Sequence, residues 1–359
     1  MAQQQAGPPV LAVFNHKGGV AKTTTACNVA VCLAACGLRT LLLDLDAQGN
    51  ATASFGHLPL PNLGTIDVMA GRAAIAEAAL GTPFPGLTLL PATTGLRMAE
   101  LELGGDDHAT RRLDEQLAAL EADAAYDVVV IDCPPSFGMV TLNALLAASV
   151  VLIPTRPDPF AHEGLANTWY EVRRLCQEGN ATLGVAGILL TMTEPEGAIA
   201  DGARAIRAEF GEQVYATEIA TDPRVGEAAQ LSMPVTVLDP DGLAGLAYVL
   251  ATGELLRRLA RRDGSAAELP ENWLSETLNT LRDWRAGQLA LRRMPAGQGG
   301  WVGSRRDIGP EPPPRHSPVV AEPAEAAGTI GRHWLAAAFV AGLVAGGAAM
   351  FAAFQLGWL

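Results

Sequence analysis

Apolar residues along this chain fall into short continuous runs separated by longer mixed stretches. Val10 to Phe14, Leu87 to Leu90, Val128 to Ile131, Val150 to Pro154 and Leu183 to Thr191 carry no charge, and Arg39 to Asp44 is an apolar run ending in an acid. Runs of that length without polar alternation look like parallel strands covered on both faces. Between them, Thr23 to Cys36, Glu163 to Gln177, Ala198 to Phe210 and Leu243 to Arg262 have the length and spacing of helices, and Gly37 stands where a helix ends on a left-handed residue. From Leu58 to Glu121 the pattern is broken by Pro59, Pro61, Pro83 and Pro85, with helical runs near Leu96 to Leu103 and Thr110 to Leu120, and reads as scaffold. Strands alternating with helices predict an α/β fold built on a doubly wound, mostly parallel sheet.

Beyond Arg262 the pattern changes. Leu269 to Arg293 places Trp273, Leu274, Leu278, Leu281, Trp284, Leu289 and Leu291 on one side at the helical period, flanked by Arg282, Arg285, Arg292 and Arg293. Such a helix suits an anionic membrane surface, and it equally suits docking on its own domain or on a partner helix. Pro295 to Gly331 is rich in Pro, Gly and Ala and reads as a disordered, partly extended linker. Trp334 to Leu359 has no charged side chain and only Gln355 as a strongly polar one. A bilayer core needs about 20 apolar residues. With Arg332 and His333 before it and Trp358 near its far end, the run predicts one transmembrane helix, a tail anchor with the bulk of the chain on the cytoplasmic face of the inner membrane. The expected organisation is residues 1–9 as a tail, 10–262 as the main domain, 263–294 as a helical extension, 295–331 as linker and 334–359 as the span.

The 359 residues allow one large core plus these appendages, and hydrophobic residues make up 49% of them. A net charge of −13 disfavours nucleic acid in general, leaving only a local basic patch as a route to it. The five cysteines, Cys27, Cys32, Cys36, Cys133 and Cys176, form no C-x-x-C pair and read as buried thiols of a reducing compartment. Met1 to Pro9 lacks the basic start and apolar core of a signal peptide.

The chemistry centres on Asn15-His16-Lys17-Gly18-Gly19-Val20-Ala21-Lys22-Thr23-Thr24-Thr25, which follows the first apolar run and opens the first helix. A strand feeding a Gly-rich loop into a helix N-terminus aims backbone N–H groups and the helix dipole at an anion, and a Lys adds a point charge. The stretch therefore predicts an ATP site. It departs from the usual G-x-x-x-x-G-K-[ST] pattern, because Ala21 and His16 stand where the two glycines would be.

With a second Lys five residues before the first, Lys17-Gly18-Gly19-x-x-Lys22-Thr23 resembles the deviant Walker A motif of the ParA/MinD family of partition and positioning ATPases, in its ParA-like (Soj-type) branch. Asp44-Leu45-Asp46-Ala47-Gln48-Gly49-Asn50 resembles that family's switch I, and Val128 to Asp132 followed by Cys133-Pro134-Pro135-Ser136 resembles its Walker B and switch II. Further similarity at Ile153 to Leu165, Leu189 to Met192 and Glu227 to Val235 extends it over about Val10 to Arg262. The resemblance implies an ATPase that binds nucleotide through Lys17, Gly18, Gly19, Val20, Ala21, Lys22, Thr23 and Thr24. It assigns magnesium to Thr23, Asp46 and Asp132, with Asp132 acting through water. It also implies that Lys22 holds phosphates, Asp46 orients the attacking water and Lys17 reaches the other subunit's nucleotide in an ATP-dependent homodimer served by an activating or cargo protein.

Two departures bear on the surface such a switch would use. Family members that bind DNA place basic residues after the L-T-M-type strand and in an I-P-R-N-V-R-like segment. Here those stretches read Thr193-Glu194-Pro195-Glu196 and Ile219-Ala220-Thr221-Asp222-Pro223-Arg224, leaving one cation. That argues against DNA as the positioning surface. The reading of the whole is a membrane-tethered ATPase switch acting in partition or spatial positioning. The alternatives are a partition ATPase that uses the nucleoid, an envelope-polysaccharide tyrosine kinase, whose Tyr-rich tail this chain lacks, and a membrane scaffold that binds ATP without turnover.

Overall fold

A computed structural model describes residues 8–104, 109–120, 125–159, 161–262 and 268–293. The apolar runs become strands β1 (Val10–Val13), β2 (Thr40–Asp44), β3 (Leu80–Gly81), β4 (Leu87–Leu90), β5 (Val128–Asp132), β6 (Val150–Thr155), β7 (Gly184–Thr193) and β8 (Ile219–Ala220). They form one sheet in the order β3-β4-β2-β5-β1-β6-β7-β8. All adjacent pairs run parallel except β3 with β4, an antiparallel edge. The mostly parallel sheet expected from the alternation is therefore present.

The helices, in chain order, are α1 (Lys22–Ala35), α2 (Asn50–Ser54), α3 (Thr65–Met69), α4 (Ile75–Ala78), α5 (Ala99–Leu103), α6 (Arg112–Ala118), α7 (Met139–Ala147), α8 (Ala161–Glu178), α9 (Gly197–Phe210), α10 (Pro223–Gln230), α11 (Val235–Leu238), α12 (Leu243–Arg262) and α13 (Trp273–Arg293). Strand side chains alternate between two cores. Leu11, Val13, Val128 and Val130 join the side chains of α1, α11, α12 and α13 on one face. Val10, Ala12, Val129 and Ile131 join those of α3, α5, α6, α7 and α8 on the other. Covering both faces is what makes the strand sequences continuously apolar.

Helix α1 is almost wholly buried and built from small residues, so it lies close to the sheet and to α12. It ends as its sequence predicts. Gly37 takes φ 86°, and Leu38 N–H donates to the Leu33 carbonyl at 3.2 Å, satisfying a carbonyl that the last turn leaves open.

The amphipathic extension packs on its own domain. Trp273, Leu278 and Leu281 of α13 are buried in the same core as α1 and α12. The Trp273 indole N–H donates to Cys36 Sγ at 3.2 Å, the Trp284 ring lies 5.5 Å from that of Phe84, and Arg282 pairs with Asp241 at 2.5 Å. The apolar face of α13 is thus used within the chain, which decides between the destinations that the sequence leaves open. Among the described residues no helix is long and apolar enough to cross a membrane. The expected linker 295–331 and the expected span from Trp334 to Leu359 lie outside the described residues.

Register brings the chemistry to one edge. Asp44 at the end of β2 lies opposite Asp132 at the end of β5, and Asp132 also lies opposite Val13, the last residue of β1. Three strands thus deliver two acids and the Gly-rich loop to the carboxyl edge of the sheet, where open α/β sheets bind ligands.

Candidate functional site

The loop after β1 is pinned at its start by Asn15, 1% exposed. Its amide donates to the Pro154 carbonyl at 2.8 Å and to Thr155 Oγ1 at 3.2 Å, while its carbonyl oxygen accepts from Lys17 N–H at 3.0 Å and from the Thr168 hydroxyl at 3.1 Å. At the far end the Val20 carbonyl accepts from the Thr191 hydroxyl at 3.2 Å. Between these anchors Gly19 and Ala21 take left-handed backbone angles, φ 71° and 61°. Ala21 holds the conformation that Gly supplies in the usual loop pattern, at a cost of roughly 1–2 kcal/mol. A sterically expensive residue held by the surrounding structure marks a place where the backbone must point its N–H groups in a set direction.

Lys22 is the first residue of α1 and is 7% exposed. Its ammonium donates to the Lys17 carbonyl at 2.8 Å, bridging the two ends of the loop. Burial lowers its pKa, and the nearby Asp132 carboxylate works against that shift. Lys17 points elsewhere. Its ammonium lies 2.5 Å from both carboxylate oxygens of Asp158, in the segment between β6 and α8, and both side chains are about a quarter exposed at 28% and 22%. The two lysines are thus physically distinct, one inside the loop and one at its rim.

The acids differ as sharply. Asp44 is fully satisfied: Oδ2 accepts from Thr52 N–H at 2.7 Å and from the Thr52 hydroxyl at 2.6 Å, and Oδ1 accepts from Asp46 N–H at 3.2 Å. Burial pushes its carboxyl up to about 6 against those hydrogen bonds. Its place is therefore structural, holding the Asp46-to-Thr52 turn against the end of β2. Asp46 is half-buried, and its Oδ1 accepts from Gln48 N–H at 2.9 Å. Asp132 is wholly buried, and neither of its oxygens has a hydrogen-bond partner. Burial and the Asp44 charge raise its pKa; the Thr23 hydroxyl eases that shift without closing a hydrogen bond.

A buried carboxylate with both oxygens unpaired calls for a cation. Thr23 and Asp132 supply hard oxygen donors beside the loop, with Asp46 on the adjoining turn. No group of three or more His, Cys, Asp or Glu among the described residues is arranged to hold a metal alone. The oxygen donors Thr23, Asp46 and Asp132 fit magnesium, which characteristically takes one or two carboxylates and completes its shell with water and phosphate oxygens. Cys133 next to Asp132 is buried, and its thiol pKa is raised well above the ordinary range by burial, which makes it an inert packing residue.

Two members of this site make contacts that no local signal in the sequence shows. Asp158 lies 141 residues from Lys17, so their pairing joins two separate stretches of the sequence. Asp44 ends a strand and looks like one more acid until Thr52 closes on it. His16 adds a third contact: its ring stands 5.1 Å from Phe14 and 5.4 Å from Phe137, placing the loop against the segment that follows Asp132.

A family model described as an AAA domain matches residues 9–185. The chromosome partitioning protein ParA of Caulobacter vibrioides is 38% identical over 260 residues, 72% of this chain and 97% of that protein. The sporulation initiation inhibitor protein Soj of Bacillus subtilis is 35% identical over 242 residues, 67% of this chain and 95% of that one. Among solved structures, cobyrinic acid a,c-diamide synthase from Mycobacterium smegmatis with bound ATP analog and magnesium superimposes with a TM-score of 0.61 at 34% identity, covering 73% of this chain and 98% of that one.

Proposed function

This chain belongs to the ParA/MinD family of P-loop ATPases, with ATP and magnesium as its cofactors, and from that premise we propose that it is a nucleotide-driven dimerisation switch that positions or partitions a cargo from a membrane tether. The observation that carries the reading is the division of labour between the two lysines. Lys22 already fills the cationic place inside its own loop, so Lys17 at the rim is available to a nucleotide held by another subunit. In this assignment Lys22 and the N–H groups of Gly18, Gly19, Val20, Ala21, Thr23 and Thr24 hold phosphates. Asp46 orients the attacking water. Thr23 and Asp132, with Asp46, would hold magnesium, which neutralises charge on the phosphates. An activating or cargo protein would complete the cycle.

The two lysines test the switch. Lys22→Ala is expected to abolish ATP binding measured with a fluorescent analogue. Lys17→Ala is expected to keep binding while losing ATP-dependent dimerisation by light scattering and the turnover that depends on it. Unchanged turnover in Lys17→Ala removes the role across the dimer.

The tether rests on the uncharged run Trp334 to Leu359 and on Arg332 and His333 before it. Full-length protein should resist carbonate extraction of membranes, and a version ending at Arg332 should wash off. If both wash off or both stay, the run is not the anchor.

A second reading, partition on the nucleoid, is favoured by the 38% identity to a chromosome partitioning protein. Its difficulty is electrostatic. Glu194 and Glu196 are exposed after β7, and Arg224 is already paired with Glu227 at 2.6 Å and Asp239 at 3.2 Å.

A further inference from the structure

Helices α8 and α9 pack on the sheet through Leu165, Val172 and Ile206, and between their outward sides they leave a groove of about 550 Å³. Its walls are Trp169, Tyr170 and Arg173 from α8 and Glu209 and Phe210 from α9, with Gln213 at one end. The Trp169 and Phe210 rings meet edge to face at 5.5 Å, which stiffens the floor. Tyr170 is 66% exposed, an unusual place for so large a ring. Arg173 has no ion pair among the described residues, whereas Glu209 is held by His162 at 3.0 Å. Nothing in the nucleotide chemistry uses this surface.

Grooves walled by Trp, Tyr and Phe with charge at their margins suit polyproline II ligands, whose extended backbone is largely formed before binding and so loses little entropy on docking. The chain has a proline-rich sequence of its own. Pro310-Glu311-Pro312-Pro313-Pro314-Arg315-His316-Ser317-Pro318 is its densest proline run. At three residues per turn, Pro310 and Pro313 share one edge, and Pro312, Arg315 and Pro318 share another. Its charges are opposite in sign to those at the groove: Glu311 to Arg173, and Arg315 to Glu209. The run is also within reach. From Arg293 to Pro310 is 310 − 293 = 17 residues, or about 56 Å when extended. A domain of this size has a radius of gyration of about 18 Å, so that length reaches over most, though not all, of its surface.

We propose that Pro310 to Pro318 docks as a polyproline II segment in the groove between α8 and α9, clamping the chain's own tail to its ATPase domain. The proposal does not depend on the dimer switch or on the membrane tether. If the tether exists, the clamp sets which face of the domain lies toward it, because only the residues after Pro318 remain free to span the distance.

The test uses the full chain with the photoreactive analogue p-benzoylphenylalanine in place of Tyr170, mixed in equal amounts with a heavy-isotope copy and irradiated. The expected adduct joins position 170 to a peptide containing residues 310–318 of the same isotope. It should fall at least tenfold when Pro312, Pro313 and Pro314 are changed together to Ala, with ATP hydrolysis unaltered. Arg173→Glu should reduce it several-fold, and adding Glu311→Arg should restore it, which a merely structural role for Arg173 would not do. An adduct between isotopes would assign the groove to a second copy's tail and overturn the intramolecular clamp. An adduct elsewhere, none at all, or one insensitive to the proline changes would also overturn it.

Discussion

Single residues decide how this loop works. Lys17 and Lys22 are the same residue type five positions apart, yet one is buried across the loop and the other is held at the rim by Asp158. The Lys17–Asp158 pair is partly exposed, so its contribution is roughly 0.2–1 kcal/mol. In the proposed dimer switch Lys17 leaves this pair to reach the other subunit, so Asp158→Asn is expected to lower the ATP concentration giving half-maximal dimerisation roughly two- to fivefold, with monomer ATP affinity unchanged. Light scattering across an ATP titration checks this. Weaker dimerisation in that variant would make Asp158 part of the interface and not a latch. Lys17, Lys22, Asp46 and Asp132 are legible in the sequence because motif spacing carries them. Asp158 is not, since its partner is distant in the chain, and the supporting role of Asp44 appears only once Thr52 folds onto it.

Among the elements, α13 shows how far periodicity goes. The spacing from Trp273 to Leu291 specifies an amphipathic helix, but the period alone is blind to what covers the apolar face. The packing of Trp273 on Cys36 and of Trp284 on Phe84 answers that. Truncating a buried Trp removes its transfer energy and leaves a cavity, so Trp273→Ala should cost about 3 kcal/mol in urea denaturation of the full chain. A cost below about 1 kcal/mol would mean that α13 does not hold this position in solution. Helix α7 is less visible in sequence. Its Met-Val-Thr-Leu-Asn-Ala-Leu-Leu-Ala is apolar around most of its circumference, and a short uniformly apolar run does not by itself distinguish helix from strand. The two-residue strands β3 and β8 carry too few positions for any period to register.

For the whole molecule the question is what surface the domain works against. The net charge of −13 and the pairing of Arg224 with two acids predict weak, shallow salt dependence with nucleic acid. With ATP present, binding of the full chain to random duplex should weaken less than roughly tenfold between 50 and 200 mM salt, since each neutralised phosphate contributes a slope of about 0.9. A steep loss over that range would restore the nucleoid as the working surface. By itself the sequence determined the main alternation of strands and helices, the Gly-rich loop and the acids at two strand ends, because periodicity and motif spacing are local properties that any chain with this pattern carries. Only the tertiary structure decided the order of strands in the sheet, the pairing of Asp44 with Asp132 across register, the capture of Lys17 by Asp158 and the docking of α13. Those depend on which distant surfaces exclude water together, and no single stretch of sequence contains that choice.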